Sequence, residues 1–325
     1  MKIRIYFVVS LILAILGIVG IIIYYSIPNE KPHIFVILAD DMGYNDIGYN
    51  NHKVITPHLD RLASQSIMFQ NNYVQAMCTP SRFALMSGIY PFKAGMSHTV
   101  ENALKPHCAP LNYKFVPEYL KTKGYKTHHI GKWHLGFCHK NCTAIKRGFD
   151  ESYGFYNGYC GYYNHINVKN GYDFNFNNKI DRSANGTHLM ELFDEYTKRT
   201  IQNHKPSLPL FMYFAYPTPH TPIESESKFY NMYNESKMSE HRKHYLALMT
   251  SMDHSVGNLV SSLKAKGMYH NSIIIFISDN GGEIFGPASN YPYRGSKLSL
   301  YEGGVRSTAF VHSPLYGKKQ KYVYG

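Results

Sequence analysis

The chain has 325 residues, 44% of them hydrophobic and 17% charged, which excludes a disordered protein and suffices for one large domain or two small ones. Its formal charge of +12 suits anionic partners: phosphate, sulfate, nucleic acid or sulfated glycans. No run of Arg and Lys with interleaved aromatics reads as a nucleic-acid patch, and the basic tail Lys318, Lys319 and Lys321 is a short solvated loop, so no nucleic-acid partner is expected.

The leader comes first. Lys2 and Arg4 precede an uncharged run from Ile5 to Tyr25, longer than the usual signal-peptide core and with no clear small-x-small cleavage site behind it. At about 1.5 Å per residue that run can cross a bilayer core of about 30 Å. Residues 1–27 therefore read as a signal anchor with its membrane segment at 5–25, or else as a cleaved signal peptide. Both readings place the remainder in the secretory pathway, lumenal or extracellular, in the lysosome, the endoplasmic reticulum or at the cell surface. The sequons headed by Asn141, Asn185 and Asn234 agree as glycosylation sites.

Beyond the leader, strands and helices alternate. His33–Ala39 is an unbroken apolar run, as in a buried central strand. Pro57–Phe69 and Pro117–Lys123 read as helices, and a strand is expected near Lys126–Ile130. The segment from Asn157 to Asn185 lacks periodicity and reads as a long loop. Leu208–Ala215 is a further apolar strand. Tyr245, Leu248, Met249, Met252, Val256, Leu259, Val260 and Leu263 recur at helical spacing, with Gly267 as the stop. Ser272–Ser278 and Val305–His312 complete the strands. The alternation predicts an α/β fold: a mostly parallel sheet sandwiched by helices over residues 33–325.

Three of these strands run into polar clusters: Asp40-Asp41, Gly131-Lys132-Trp133-His134 and Asp279-Asn280-Gly281-Gly282. Ligand sites in parallel sheets lie beyond the carboxyl ends of the strands, so the clusters should meet in one cleft. Asp40, Asp41, Asp279 and the amide oxygen of Asn280 are hard ligands that suit Ca²⁺ or Mg²⁺. Five cysteines, Cys78, Cys108, Cys138, Cys142 and Cys160, leave one unpaired. The four between 108 and 160 can form two disulfides, while Cys138-x3-Cys142 has near-zinc spacing without a matching second pair.

Cys78-Thr79-Pro80-Ser81-Arg82 reproduces the C-x-P-S-R signature of type I sulfatases, and Leu85-Met86-Ser87-Gly88 resembles the auxiliary element that follows it. Asp40-Asp41, Gly131–Gly136, Pro219-His220-Thr221-Pro222, Ser278–Gly282, Gly295-Ser296-Lys297 and Glu302–Arg306 match that family in order. The chain thus resembles the arylsulfatase B-like (N-acetylgalactosamine-4-sulfatase-like) branch over about residues 33 to 317.

The resemblance implies an alkaline-phosphatase-like sulfatase fold and hydrolysis of sulfate esters on sulfated sugars or glycosaminoglycans. It implies that a formylglycine-generating enzyme oxidises Cys78 to formylglycine, whose hydrate attacks sulfur to give a covalent sulfo-enzyme. One Ca²⁺ would be held by Asp40, Asp41, Asp279, Asn280 and the modified Cys78. Arg82 would steady the hydrate, and Lys132 and Lys297 would hold sulfate oxygens. His220, with Lys297, would protonate the leaving alcohol, and His134 would take the proton that releases sulfate. Cys108 and Cys142 sit at positions similar to a family disulfide, and Cys138 with Cys160 follows by elimination.

Two departures stand out. Ser87 and Ile89 replace the usual Thr and basic residue of the auxiliary element. The chain also ends at Gly325, whereas such proteins continue through a smaller C-terminal domain, so the chain is expected to lack that domain and to be poorly stable. Other readings are a phosphodiesterase of the same superfamily, against which the intact pentapeptide argues, and a non-catalytic glycan-binding protein.

Overall fold

The computed structural model describes residues 31–98, 105–167, 169–234, 237–283, 285–317 and 321–323. The membrane segment expected at residues 5–25 lies outside them. Among the described residues no helix is long and apolar enough to cross a membrane.

The strands are β1 (His33–Ala39), β2 (Ile67–Phe69), β3 (Lys126–Lys132), β4 (Glu151–Phe155), β5 (Asn175–Phe176), β6 (Lys179–Ile180), β7 (Leu210–Ala215), β8 (Ser272–Ser278), β9 (Ala309–His312) and β10 (Lys321–Val323). They form one sheet in the order β10-β2-β9-β8-β1-β7-β3-β4-β5-β6. The central run β8-β1-β7-β3-β4 is parallel throughout. Antiparallel β9 and the β5–β6 hairpin flank it. Every residue of β7 is buried, which is why these strands read as unbroken apolar runs.

Helices α1 (Pro57–Ala63), α2 (Cys78–Ser87), α3 (Val116–Thr122), α4 (Leu189–Asn203), α5 (Ser227–Tyr230), α6 (Glu240–Ala265) and α7 (Glu302–Val305) complete the fold. Side chains alternate across β1. Phe35, Ile37 and Ala39 enter a core built with Leu59 of α1, Phe193 of α4 and Met249 of α6. Val36 and Leu38 enter a second core with Phe83 of α2, Phe115 and Trp133. The period of two thus assigns one helical layer to each face.

Several expectations shift. Pro57–Phe69 is helical only to Ala63. Ile67–Phe69 pairs antiparallel with β9 instead, because tertiary pairing outweighs local continuity. The strand expected from Val305 begins at Ala309, since Glu302–Val305 makes a helical turn capped by an Arg306–Glu302 ion pair at 3.0 Å. The expected loop contains the β5–β6 hairpin, turned by Asn177 and Asn178 at φ 50° and 66°, a conformation asparagine tolerates. Helices α2 and α4 were not expected. The residues from Cys78 to Phe83 are all buried, so the start of α2 shows no polar face to betray it. Helix α4 does carry a signal, since buried Leu189, Leu192, Phe193, Tyr196 and Thr197 recur at helical spacing behind a His188 cap whose ring accepts from the Met190 N–H.

A disulfide joins Cys108 and Cys142. The pairing of Cys138 with Cys160 is corrected, because both are free thiols. Cys160 is buried in the same core as Phe35 and Phe193, whereas Cys138 is exposed next to Cys142. Elimination among cysteines carries no information about distance.

Candidate active site

The carboxyl ends of β1, β3, β7 and β8 lie side by side; β1, β3 and β8 lead directly into polar residues, and β7 reaches Thr218 and His220 through Tyr216-Pro217. Ala39 pairs with Ser278, so Asp40 and Asp279 emerge as neighbours, and the Asp279 N–H donates to the Ala39 carbonyl at 3.0 Å. The Asp40 N–H donates to the Thr218 carbonyl, tying β1 to the loop that carries His220. Lys132 is the last residue of β3. Asp41 and His134 hold φ values of 63° and 52°, a left-handed backbone that costs of order 1–3 kcal/mol and persists where the surroundings enforce it. Gly131 is needed at φ 102°, where an added Cβ would lie 2.1 Å from the Ala215 carbonyl oxygen.

The side chains close into one network. Lys132 Nζ donates to Asp40 Oδ2 at 2.6 Å, and Lys297 Nζ to Asp41 Oδ2 at 2.6 Å. Arg82 Nη2 donates to Asp279 Oδ2 at 2.8 Å, lies 3.4 Å from Asp40 Oδ1, and its Nη1 donates to the Lys132 carbonyl. Asn280 Nδ2 donates to Asp41 Oδ1 at 2.7 Å. His220 Nδ1 donates to the Thr221 carbonyl, leaving Nε2 3.5 Å from Asp41 Oδ2 and 3.4 Å from Lys297 Nζ. Cys78 opens α2, buried, with Sγ in a group that also contains atoms of Asp40, Asp41 and His220, all within 4.8 Å of one another. His134 joins through its carbonyl, which accepts from Thr79 Oγ1 at 3.1 Å. All ten residues singled out in the sequence therefore lie at this edge.

Three carboxylates face three cations, a formally neutral cluster in a buried setting. Burial opposes ionisation of Asp40, but Lys132, His220, Arg82 and Lys297 hold it well below the usual carboxylate range. Burial and the Asp40 charge push Asp279 up to about 7. Burial, with the three carboxylates, also pushes the Cys78 thiol up to about 12. Burial and the charges of Lys132 and Arg82 keep His134 neutral, well below the ordinary histidine value.

The donor set fits a hard cation. Asp40 Oδ1 and Asn280 Oδ1 are buried with no hydrogen-bond partner among the described residues, which is costly unless something else satisfies them. Asp41 Oδ1, which accepts from Asn280 Nδ2, and Asp279 Oδ1, which accepts from the Asp41 N–H, add further hard oxygens beside them. Both ring nitrogens of buried His134 are likewise unpartnered.

Two further residues escaped the sequence reading. Tyr159 stacks on His220 with ring centroids 5.9 Å apart. Tyr162, fully buried, places its hydroxyl 3.0 Å from the Pro217 carbonyl and 3.2 Å from that of His220, fixing this loop. Both lie in the Tyr-rich stretch without periodicity, where no sequence signal distinguishes them. Asn141, Asn185 and Asn234 stand at exposed positions.

Comparisons with known proteins agree with this geometry. The Sulfatase family model matches residues 32–323. Arylsulfatase J of Mus musculus is 39% identical over 299 residues, covering 90% of this chain and 49% of its own length. N-acetylgalactosamine-6-sulfatase of Homo sapiens is 30% identical over 321 residues, covering 88% and 57%. The chain spans about half the length of these curated relatives. The crystal structure of Ps i-CgsB in complex with k-i-k-neocarrahexaose has a TM-score of 0.84 at 32% identity, over 91% of this chain and 69% of that one. PsFucS1 sulfatase from Pseudoalteromonas sp., at 23% identity and a TM-score of 0.74, shares the fold. The mixed sheet flanked by helices is accordingly the alkaline-phosphatase-like fold of these structures, and the chain belongs to the sulfatase family.

Proposed function

We propose that this chain hydrolyses sulfate esters on sulfated sugars or glycosaminoglycans. The observation that carries the proposal is the convergence of Asp40, Asp41, His220 and Cys78 at one buried edge, with Lys132 and Lys297 aimed into it. Asp40, Asp41, Asp279 and Asn280 would hold one Ca²⁺, with the modified Cys78 completing the set. Bound there, the ion supplies Lewis acidity and fixed positive charge for sulfate oxygens. Oxidation of Cys78 to formylglycine by a formylglycine-generating enzyme supplies a hydrated aldehyde, one hydroxyl for attack on sulfur and one for elimination of sulfate.

The chain's own residues do the rest. Arg82 is held by Asp279 and the Lys132 carbonyl, so it acts by offsetting carboxylate charge and fixing the floor of the site. Lys132 and Lys297 bind sulfate oxygens, preorganised by their place on β3 and beside Asp41. His220 and Lys297, 3.4 Å apart, hold the proton delivered to the departing alcohol at Nε2. His134, neutral and with unpartnered ring nitrogens, accepts the proton whose loss expels sulfate. The disulfide and the exposed sequon asparagines support a secretory compartment.

Turnover of an aryl sulfate, beside a phosphodiester control, tests the assignment with protein made in a host that carries the converting enzyme. Sulfate release that is lost in Cys78→Ala supports it. Cleavage of the phosphodiester alone would instead favour a phosphodiesterase.

A further inference from the structure

The oxidised pair Cys108–Cys142 has a third sulfur beside it. Cys138 Sγ lies 4.0 Å from Cys142 Sγ, and all three sulfurs lie within 4.8 Å of one another. Cys138 is exposed and unpaired, while Cys142 is buried. Neither the proposed hydrolysis nor the fold uses Cys138. An accessible thiol this close to a disulfide sulfur meets the distance that thiol–disulfide exchange requires, and because the three sulfurs form a triangle, rotation of the exposed Cys138 side chain is the motion that brings its thiol in line with the Cys142–Cys108 bond.

We infer that Cys108, Cys138 and Cys142 form a thiol–disulfide exchange site in which Cys138 is the attacking thiol and Cys142 is shared between two partners. The Cys138 thiolate attacks Cys142 Sγ. The Cys138–Cys142 bond forms as the Cys142–Cys108 bond breaks, and the electron pair leaves on Cys108 Sγ, which takes up the proton that Cys138 released. One disulfide is present before and after, so no oxidant or reductant is consumed.

The consequence is local and specific. The Cys108 segment is held in three ways: by the disulfide to Cys142, by the Ala109 N–H donating to the Leu135 carbonyl at 2.9 Å, and by close packing against Gly136, where an added Cβ would lie 2.1 Å from Cys108 Cβ. Arg147 Nη1 also donates to the Ala109 carbonyl. After exchange the covalent tie is gone and only the hydrogen bonds and packing hold the segment against Leu135, the neighbour of His134. Exchange therefore releases the covalent tie on the Cys108 segment without breaking any contact of the carboxylate cluster.

The test is thiol trapping on the folded full chain. The protein is kept without reductant in mildly alkaline buffer, treated with N-ethylmaleimide, quenched in acid and mapped by mass spectrometry without reduction. The expected result is label on Cys108 as well as Cys138, with Cys138–Cys142 linked peptides accompanying labelled Cys108. In Cys138→Ser, an exposed and conservative change, label on Cys108 should fall about tenfold or more, with Cys108–Cys142 the sole linkage. A melting midpoint equal to that of the wild type confirms that the variant is folded. Label confined to Cys138 in the wild type, with every Cys108 still joined to Cys142, would overturn the inference. So would equal Cys108 labelling in the variant.

Discussion

Replacing Arg82 by Met tests whether the buried charges of the site balance one another. The side chain is fully buried, touches Asp279 at 2.8 Å and Asp40 at 3.4 Å, and donates to the Lys132 carbonyl. Met keeps much of its volume and removes its charge and its donors. Removing one partner of a buried ion pair costs about 3–5 kcal/mol, because the remaining carboxylate stays desolvated and uncompensated. With a urea slope of about 3 kcal/mol/M, the midpoint should fall by about 1–1.7 M in the presence of a chelator. Two signatures separate this from a packing defect. Calcium should narrow the gap, because a bound cation replaces the missing charge. Acid should narrow it as well: Asp279, already pushed up to about 7 by burial and Asp40, can then be protonated and no longer needs a partner. A variant within about 0.5 kcal/mol of the wild type in chelator would show that the Arg82 charge is not needed to balance these carboxylates.

Other expectations follow from single contacts. Gly131→Ala places a Cβ 2.1 Å from the Ala215 carbonyl at a backbone angle of φ 102°, so it should displace Lys132 and abolish aryl sulfate turnover, with loss of several kcal/mol of stability in a urea melt. Asp253, on α6, accepts the Leu59 and His58 N–H groups at the start of α1 and is pushed up to about 7 by burial. Because the folded state holds this proton more tightly than the unfolded chain, its contribution to stability is greatest below the ordinary carboxylate pKa of 3.8 and declines as pH rises towards 7, by at most about 4 kcal/mol. Asp253→Asn should flatten the pH dependence of the melting midpoint over that range, and an unchanged slope would count against it. Calcium should raise the wild-type midpoint in a saturable way, while Asp41→Asn, which removes a proposed ligand charge, should weaken that response at least tenfold in apparent affinity.

Much of the molecule was legible in the sequence because its central strands are buried on both faces. His33–Ala39 and Ser272–Ser278 announce themselves as apolar runs, and the observed strands have those bounds. The gathering of Asp40, Asp41, Lys132, His134, Asp279 and Asn280 was legible for a related reason, since polar residues directly after such runs must meet at one edge once the strands pair in parallel, whereas Cys78, Arg82, His220 and Lys297 were singled out by the family resemblance alone. Elements fixed by tertiary contact were not legible. The apolar Ile67–Phe69 reads as a continuation of α1 until β9 is present to pair with it. The first residues of α2 are buried around their whole circumference, so no amphipathic period exists to detect. Tyr159 and Tyr162 support His220 from a stretch of chain whose path depends on neighbours far away in sequence, such as Glu224, which accepts the Tyr162 N–H at 2.7 Å. Cysteine counting failed for the same reason, since it is blind to which face of the sheet Cys160 packs on.

The most direct measurement is the mass of the peptide spanning Cys78 in protein from a host with the converting enzyme. The expected peptide is lighter than the coded sequence by the difference between a thiol and an aldehyde, and carries a carbonyl that reacts with a hydrazine reagent. An intact, alkylatable thiol at position 78 in protein that nonetheless turns over sulfate esters would contradict the formylglycine mechanism.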